Sequence, residues 1–240
     1  MRFSISPNPD VLFSVAYADD DLLVIDKPTG VVTEPGKKHG HDSLLNGLFA
    51  AHGNALQNQG EARDWGLLHR LDKDTSGLVL VALRNRAYDH LRRQFEDRQV
   101  KKLYWAIVCG RPDPAQGVIQ KPIAEVTGTR KKAVLRRDGQ PAVTAYRVLA
   151  SADDVSLVEA RPKTGRLHQI RVHLATLGCP VLGETIYQGD ARLPTVPRLC
   201  LHAAELSFIH PTTGHRQTVK SPWPKDLQKT LARFDLPLAP

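Results

Sequence analysis

His69-Arg70-Leu71-Asp72-Lys73-Asp74-Thr75-Ser76-Gly77 runs directly into the apolar stretch Leu78-Val79-Leu80-Val81-Ala82-Leu83. Thr75-Ser76-Gly77 is a turn signal, and the short apolar run after it reads as a buried strand. A polar cluster beside a buried strand is how a fold presents a catalytic acid at the edge of a rigid sheet. Taken as bare chemistry, Asp72 and Asp74 can also be loop carboxylates that satisfy backbone donors, as Asx residues often do. Asp72-Lys73-Asp74-Thr75 further matches the Asp-x-Asp-x-Thr of aspartyl-phosphate phosphatases. That chemistry needs its nucleophile at the carboxyl end of a buried strand, with Mg²⁺ held by further carboxylates. Here the apolar run follows the acids, and only Gly66-Leu67-Leu68 precedes them, so the phosphatase pattern is a poor fit.

Outward from this block, the composition narrows the class. The chain has 240 residues, 41% of them hydrophobic, which is enough to bury a substantial core. Lys and Arg total 33 against 25 Asp and Glu, a formal charge of +8. The positive charge is clustered at Arg92-Arg93, Lys101-Lys102, Arg130-Lys131-Lys132 and Arg136-Arg137, a footprint suited to a polyanion such as nucleic acid. Cys109, Cys179 and Cys200 lie far apart with no Cys-x-x-Cys pair, so neither a zinc site nor a disulfide framework is signalled. No targeting segment and no run long enough to span a membrane is present, and a cytoplasmic protein is expected.

Leu22-Leu23-Val24-Ile25 predicts a short strand ending in the turn Asp26-Lys27-Pro28-Thr29-Gly30. Asp42 or Ser43 can cap a helix carrying Leu44, Leu45, Leu48 and Phe49, and the polar residues 53–64 read as a surface loop. A second helix is expected from Asn85. Residues 102–109 alternate as a strand, with Leu103, Trp105 and Ile107 on one face and Tyr104, Ala106 and Val108 on the other. Pro112, Pro114 and Gly117 mark a loop, and 130–139 reads as a basic excursion with a hairpin end at Asp138-Gly139. Paired strands are expected at 143–148 and 155–160, and a helix at 168–177 stopped by Gly178 and Pro180. Further strands fall at 199–208 and 217–219, before a terminal helix at 225–234. The expectation is a single α+β domain over residues 1–240, with its core at about 17–222, on a largely antiparallel mixed sheet flanked by helices.

Four ordered blocks carry a resemblance to a known family. They are Leu23-Val24-Ile25-Asp26-Lys27-Pro28-Thr29-Gly30, His69 to Gly77, Lys102-Leu103-Tyr104, and Thr164-Gly165-Arg166-Leu167-His168-Gln169-Ile170-Arg171-Val172-His173. Leu201-His202-Ala203 and His210-Pro211-Thr212-Thr213-Gly214 follow in the same order. Together they resemble the RluA-type pseudouridine synthases, which isomerise uridine in RNA.

The resemblance implies that Asp72 is the catalytic aspartate, Tyr104 the active-site tyrosine and Arg171 the arginine that pairs with the aspartate. Arg70 falls where the family inserts a side chain into the stack vacated by a flipped uridine. Leu201 lies near the apolar residue that flanks the target base, and Arg166, His69 and Lys27 match positions expected to contact substrate. The implied partner is ribosomal or transfer RNA, with no obligate protein partner and a monomeric state. About 20 residues precede the first predicted strand, so no separate N-terminal RNA-binding domain is expected.

The reaction is an isomerisation, so no redox cofactor and no metal are implied. Its demands match the residues. A stacked uridine must be flipped out at a cost of a few kcal/mol. A planar guanidinium such as Arg70 can fill the gap. Asp72 would act on the ribose as nucleophile or as base, two routes that the sequence leaves open. Arg171 would keep that carboxylate ionised, and Tyr104 would offer a flat face and a hydroxyl near the reacting ring carbon. His168 and His173, five positions apart, do not share a helical face well, so they read as structural rather than as metal ligands.

Overall fold

Strand pairing at the N-terminal end begins earlier than the hydrophobic pattern suggests. The computed structural model describes residues 3–128, 131–189 and 193–238. The strand β1 (Ser14–Ala18) precedes β2 (Leu22–Lys27) and pairs with it antiparallel, with a bulge between Val15 and Tyr17. Four of its five residues are exposed, so it carries no buried alternation by which a sequence pattern would reveal it. The helix α1 (Leu44–Gln59) is capped by Ser43, whose hydroxyl accepts the Asn46 N–H while the Asn46 side chain accepts the Ser43 N–H. It runs through part of the expected loop and is followed by a 3-10 turn at Glu61–Gly66. The Gly, Asn and Gln content of 53–64 suggested a loop, but tertiary packing decided otherwise. Gly53 lies against the Phe3 ring, where a Cβ would sit 2.7 Å from a ring carbon, and Leu56 is fully buried.

The strand β3 (Ser76–Ala82) is buried at all seven residues and pairs antiparallel with β2, Leu22 opposite Ala82 and Lys27 opposite Gly77. The helix α2 (Asn85–Glu96) lays Ala87, Tyr88 and Leu91 on a core that includes Leu22, Val24, Leu68, Leu78 and Leu80.

Next come β4 (Lys101–Cys109), β5 (Gln116–Gln120), β6 (Ile123–Val126), β7 (Lys132–Leu135), β8 (Val143–Ala152) and β9 (Val155–Pro162). Strands β4, β9, β8 and β5 lie side by side, each neighbouring pair antiparallel. β5 occupies part of the loop expected around Gly117, since short strands with exposed alternate residues look like loop in a Pro- and Gly-rich context. β6 and β7 form a separate two-stranded ribbon. The residues that join the two strands fall partly outside the described residues, and Arg130 of the expected basic excursion lies outside them. The Asp138-Gly139 turn instead returns the chain so that Gln140 pairs with Ile123. The helix α3 (Gln169–Ala175) follows, then β10 (Leu201–Ile209), β11 (Arg216–Lys220) and α4 (Lys225–Arg233).

The chain forms two compact units, Met1–Lys101 with Glu205–Ser221 and Lys102–Ala204 with Pro222–Pro240. The first contains β1 to β3, α1, α2, β11 and the part of β10 from Glu205 onward, with Glu205 facing Lys220 and Ile209 facing Arg216. The second contains α3, α4, the β6–β7 ribbon and the antiparallel β4–β9–β8–β5 set. The predicted α+β class with a mostly antiparallel sheet is the architecture observed. The three cysteines are free thiols, with Cys179 and Cys200 buried.

Candidate active site

In the first unit the Asp72 loop is fastened on both sides of the carboxylate. Lys27, at the end of β2, has no exposed surface, and its ammonium donates to the carbonyls of Pro28 at 2.8 Å, Val31 at 2.7 Å and Lys73 at 3.1 Å. These bonds hold the Lys27 ammonium against the loop backbone, a position from which it can steady the turn. Gly30, at φ +80°, brings its N–H to Lys73 O at 2.9 Å. The Thr33 hydroxyl donates to Leu71 O at 2.8 Å and accepts from Leu71 N at 3.1 Å, and the Thr29 hydroxyl reaches Asp74 O at 2.9 Å. Residues 71, 73 and 74 are thus pinned to the 27–33 turn, while Asp72 is half-buried between them.

Arg70 and His69 divide in character. Arg70 is exposed and meets Glu34 at 3.2 Å, a surface pair weak enough to exchange for another anion. The His69 ring accepts the Leu80 N–H at 3.1 Å and rests 5.2 Å from Phe95, so it is tied to the backbone of β3.

The second unit holds the other expected residues. Tyr104 is buried on β4, opposite Ala160 of β9, and shares a strand face with Lys102 two positions earlier. The Lys102 ammonium donates to Thr164 O at 3.4 Å, and burial pushes it down to about 8. Leu201 is buried at the start of β10. Arg166 is exposed before α3, its Nε directed at Pro141 O at 3.3 Å.

Arg171 is buried on α3 and makes a bidentate pair with Glu184, Nε and Nη2 each donating at 2.8 Å. Burial alone would raise the Glu184 carboxyl, but the Arg171 hydrogen bonds and charge, with the N–H groups of Ile186 and Thr185, hold it below the usual range. A guanidinium has five N–H donors, so this pairing is compatible with a further anion on another edge. The sequence reading missed Glu184; its only signal was an acid directly after the apolar Pro180-Val181-Leu182 and Gly183.

His173, fully buried, bonds Thr144 Oγ1 at 2.9 Å and Lys121 O at 3.0 Å, so both ring nitrogens have structural partners. Asp19, Asp21 and His210 bring potential ligand atoms within 4.8 Å of one another. The Asp19 oxygens already accept from the Tyr17 hydroxyl, His210 and the N–H groups of Asp21 and Leu22, which makes this a hydrogen-bonded corner.

Residues 21–176 match the family described as RNA pseudouridylate synthase. The dual-specificity RNA pseudouridine synthase RluA of Escherichia coli is 37% identical over 220 residues, covering 90% of this chain and 96% of that one. The ribosomal large subunit pseudouridine synthase D of Zymomonas mobilis is 36% identical over 228 residues, covering 91% of this chain and 72% of its own. Human RNA pseudouridylate synthase domain containing 4, a solved structure, superposes with a TM-score of 0.74 at 29% identity over 95% of each chain. The chain belongs to the RNA pseudouridylate synthase family, and within it to the RluA-type branch. It is an enzyme that converts uridine in RNA to pseudouridine.

Proposed function

We propose that the chain modifies uridine in ribosomal or transfer RNA, with Asp72 as the catalytic carboxylate. The observation that carries the reading is the Asp72 loop, whose residues 71, 73 and 74 are tied to the 27–33 turn while the carboxylate between them keeps partial access to solvent. Such fastening holds a reactive group in place before substrate arrives, when reorganisation would otherwise slow the reaction.

In this reading Arg70 leaves Glu34 and occupies the gap left by the flipped uridine. Asp72 then acts on the ribose. The bond from C1′ to N1 breaks, the uracil turns, C5 bonds to C1′, and the C5 proton is lost as N1 gains one. Tyr104 offers a flat face for the detached base and a hydroxyl for proton handling, Arg171 a cation for the reacting carboxylate, and Leu201 apolar contact with the base. Arg166 is exposed and can meet a phosphate, whereas Lys27 and His69 act through the backbone they hold. The names of the relatives point to ribosomal and dual-specificity targets. Among the described residues no helix is long and apolar enough to cross a membrane, and we place the enzyme in the cytoplasm as a monomer with a single catalytic domain.

Asp72→Asn and Asp72→Ala are expected to abolish pseudouridine formation while RNA binding persists. Appreciable turnover by either variant would defeat the assignment. Unchanged cellular function after these substitutions would favour a silent RNA-binding role, and release of phosphate that stops in EDTA would favour the phosphatase pattern. Mapping pseudouridine across total RNA with and without the gene identifies the target.

A further inference from the structure

The β6–β7 ribbon is a two-stranded sheet of its own, and an isolated ribbon of that size is marginal in water. Something else must therefore fix its direction. Ile123 and Ala133 are buried with Ala142 and Val172, and the ring of Tyr187 packs against the same cluster. Ala133 lies opposite Glu125 in the ribbon, yet its N–H does not serve the ladder; it donates to the Tyr187 hydroxyl at 2.8 Å. The same hydroxyl bonds His168 Nδ1 at 2.7 Å, just before α3. Over the Tyr187 ring, 5.5 Å from its centroid, lies the guanidinium of Arg171. Ribbon and guanidinium therefore share one side chain as support.

The ribbon is also a cationic surface. Lys131, Lys132, Arg136 and Arg137 are all exposed. Lys131 is paired with Glu125 and Arg136 with Asp138, whereas Lys132 and Arg137 have no counter-ion among the described residues. An exposed cation on the ribbon and another in the turn directly after it suit a phosphate backbone.

We infer that Tyr187 is a positioning residue for the RNA reaction, its hydroxyl directing the cationic ribbon at RNA phosphates and its ring seating Arg171. The inference rests on the isomerase reading for the role of Arg171, but its binding half does not require turnover. One side chain thereby joins RNA capture to the orientation of a guanidinium used in the chemistry.

The test uses the full chain and an RNA oligonucleotide that the wild-type protein modifies or, failing that, binds. Y187F removes the hydroxyl and keeps the ring. It is expected to weaken RNA affinity about five- to tenfold and to flatten the dependence of log K on log salt, with a smaller fall in kcat than rise in KM. K132A/R137A is expected to weaken affinity similarly in the wild-type background and by less than about twofold once Y187F is present, because the cations are then already misdirected. Y187L, which also removes the ring beneath Arg171, is expected to lower the single-turnover rate at saturating RNA by about tenfold or more beyond Y187F.

Multiplying effects of Y187F and K132A/R137A, or no effect of the latter on affinity, would overturn the inference. A saturating rate in Y187L equal to that of Y187F would overturn its second half. Should Y187L fail to fold, the Y187F cycle decides alone. A wild-type protein that binds RNA but makes no pseudouridine counts against the isomerase reading, and the binding cycle then still decides whether Tyr187 directs the ribbon.

Discussion

Asp72 and Arg70 are neighbours in sequence but ask different things of their surroundings. The loop that carries Asp72 is tied down on both sides, whereas Arg70 is exposed and held only by a surface pair with Glu34 at 3.2 Å, so in the proposed reaction the carboxylate stays in place and the guanidinium moves. Arg70→Ala should therefore cost more on a structured RNA than on one whose uridine is already unstacked. A ratio of about tenfold between the two losses is expected if Arg70 recovers about 1.4 kcal/mol of a flipping cost of a few kcal/mol, read as kcat/KM on the paired substrates. Equal losses would remove the gap-filling role. At this scale the resemblance of ordered blocks named the candidates, whereas residue type alone left Asp72 open as a loop carboxylate. It did not show that Lys27 turns inward on three carbonyls, since a lysine next to a Pro-Thr-Gly turn has no sequence mark that distinguishes scaffold from substrate contact.

The loop and turn elements around Asp72 depend on that same lysine. Lys27→Met preserves length but leaves the carbonyls of Pro28, Val31 and Lys73 without their shared cation. A loss of roughly 2 kcal/mol or more in urea unfolding is expected, together with a reduced single-turnover rate at saturating RNA. Gly30 offers a milder version. Its φ of +80° lies in the left-handed region and no heavy atom comes within 4 Å of a Cβ placed there, so Gly30→Ala tests backbone strain without a clash. About 1 kcal/mol of destabilisation is expected, measured by the same urea transition. Among the elements, those with buried alternation or buried runs, β3 and β4, were readable, as was the capped start of α1. The exposed edge strand β1 and the Gly-containing second half of α1 were not, because their stability comes from partners distant in sequence: β2 for the strand, Phe3 for the helix.

For the molecule as a whole, acid sensitivity follows from two buried groups. Burial pushes the His173 imidazole down, and its ring bonds suit the neutral form, with Nε2–H donating to Lys121 O and Nδ1 accepting from Thr144. The unfolded histidine takes up a proton at about 6.5, so stability should fall as pH drops below that value. Glu184 has a depressed folded value, so its contribution is full above the ordinary carboxylate range and disappears as pH falls through the folded value. Urea midpoints measured from pH 7 to about pH 2 should show both declines, the first below about pH 6.5 and the second below about pH 4.5. H173Q should flatten the upper one and leave the lower; a wild-type midpoint constant between pH 7 and pH 5 would contradict the neutral, buried assignment.

The sequence by itself determined the class, through ordered blocks that resemble a known family, a basic composition and a strand-rich α+β pattern. These are local facts, expressed in residue type, spacing and periodicity. Only the tertiary structure decided which groups hold them in place. Glu184 beneath Arg171, Tyr187 between the ribbon and α3, and Lys27 inside its ring of carbonyls are separated in the chain from much of what they support. Long-range hydrogen bonds and burial have no period, so they become visible only once the chain has closed on itself.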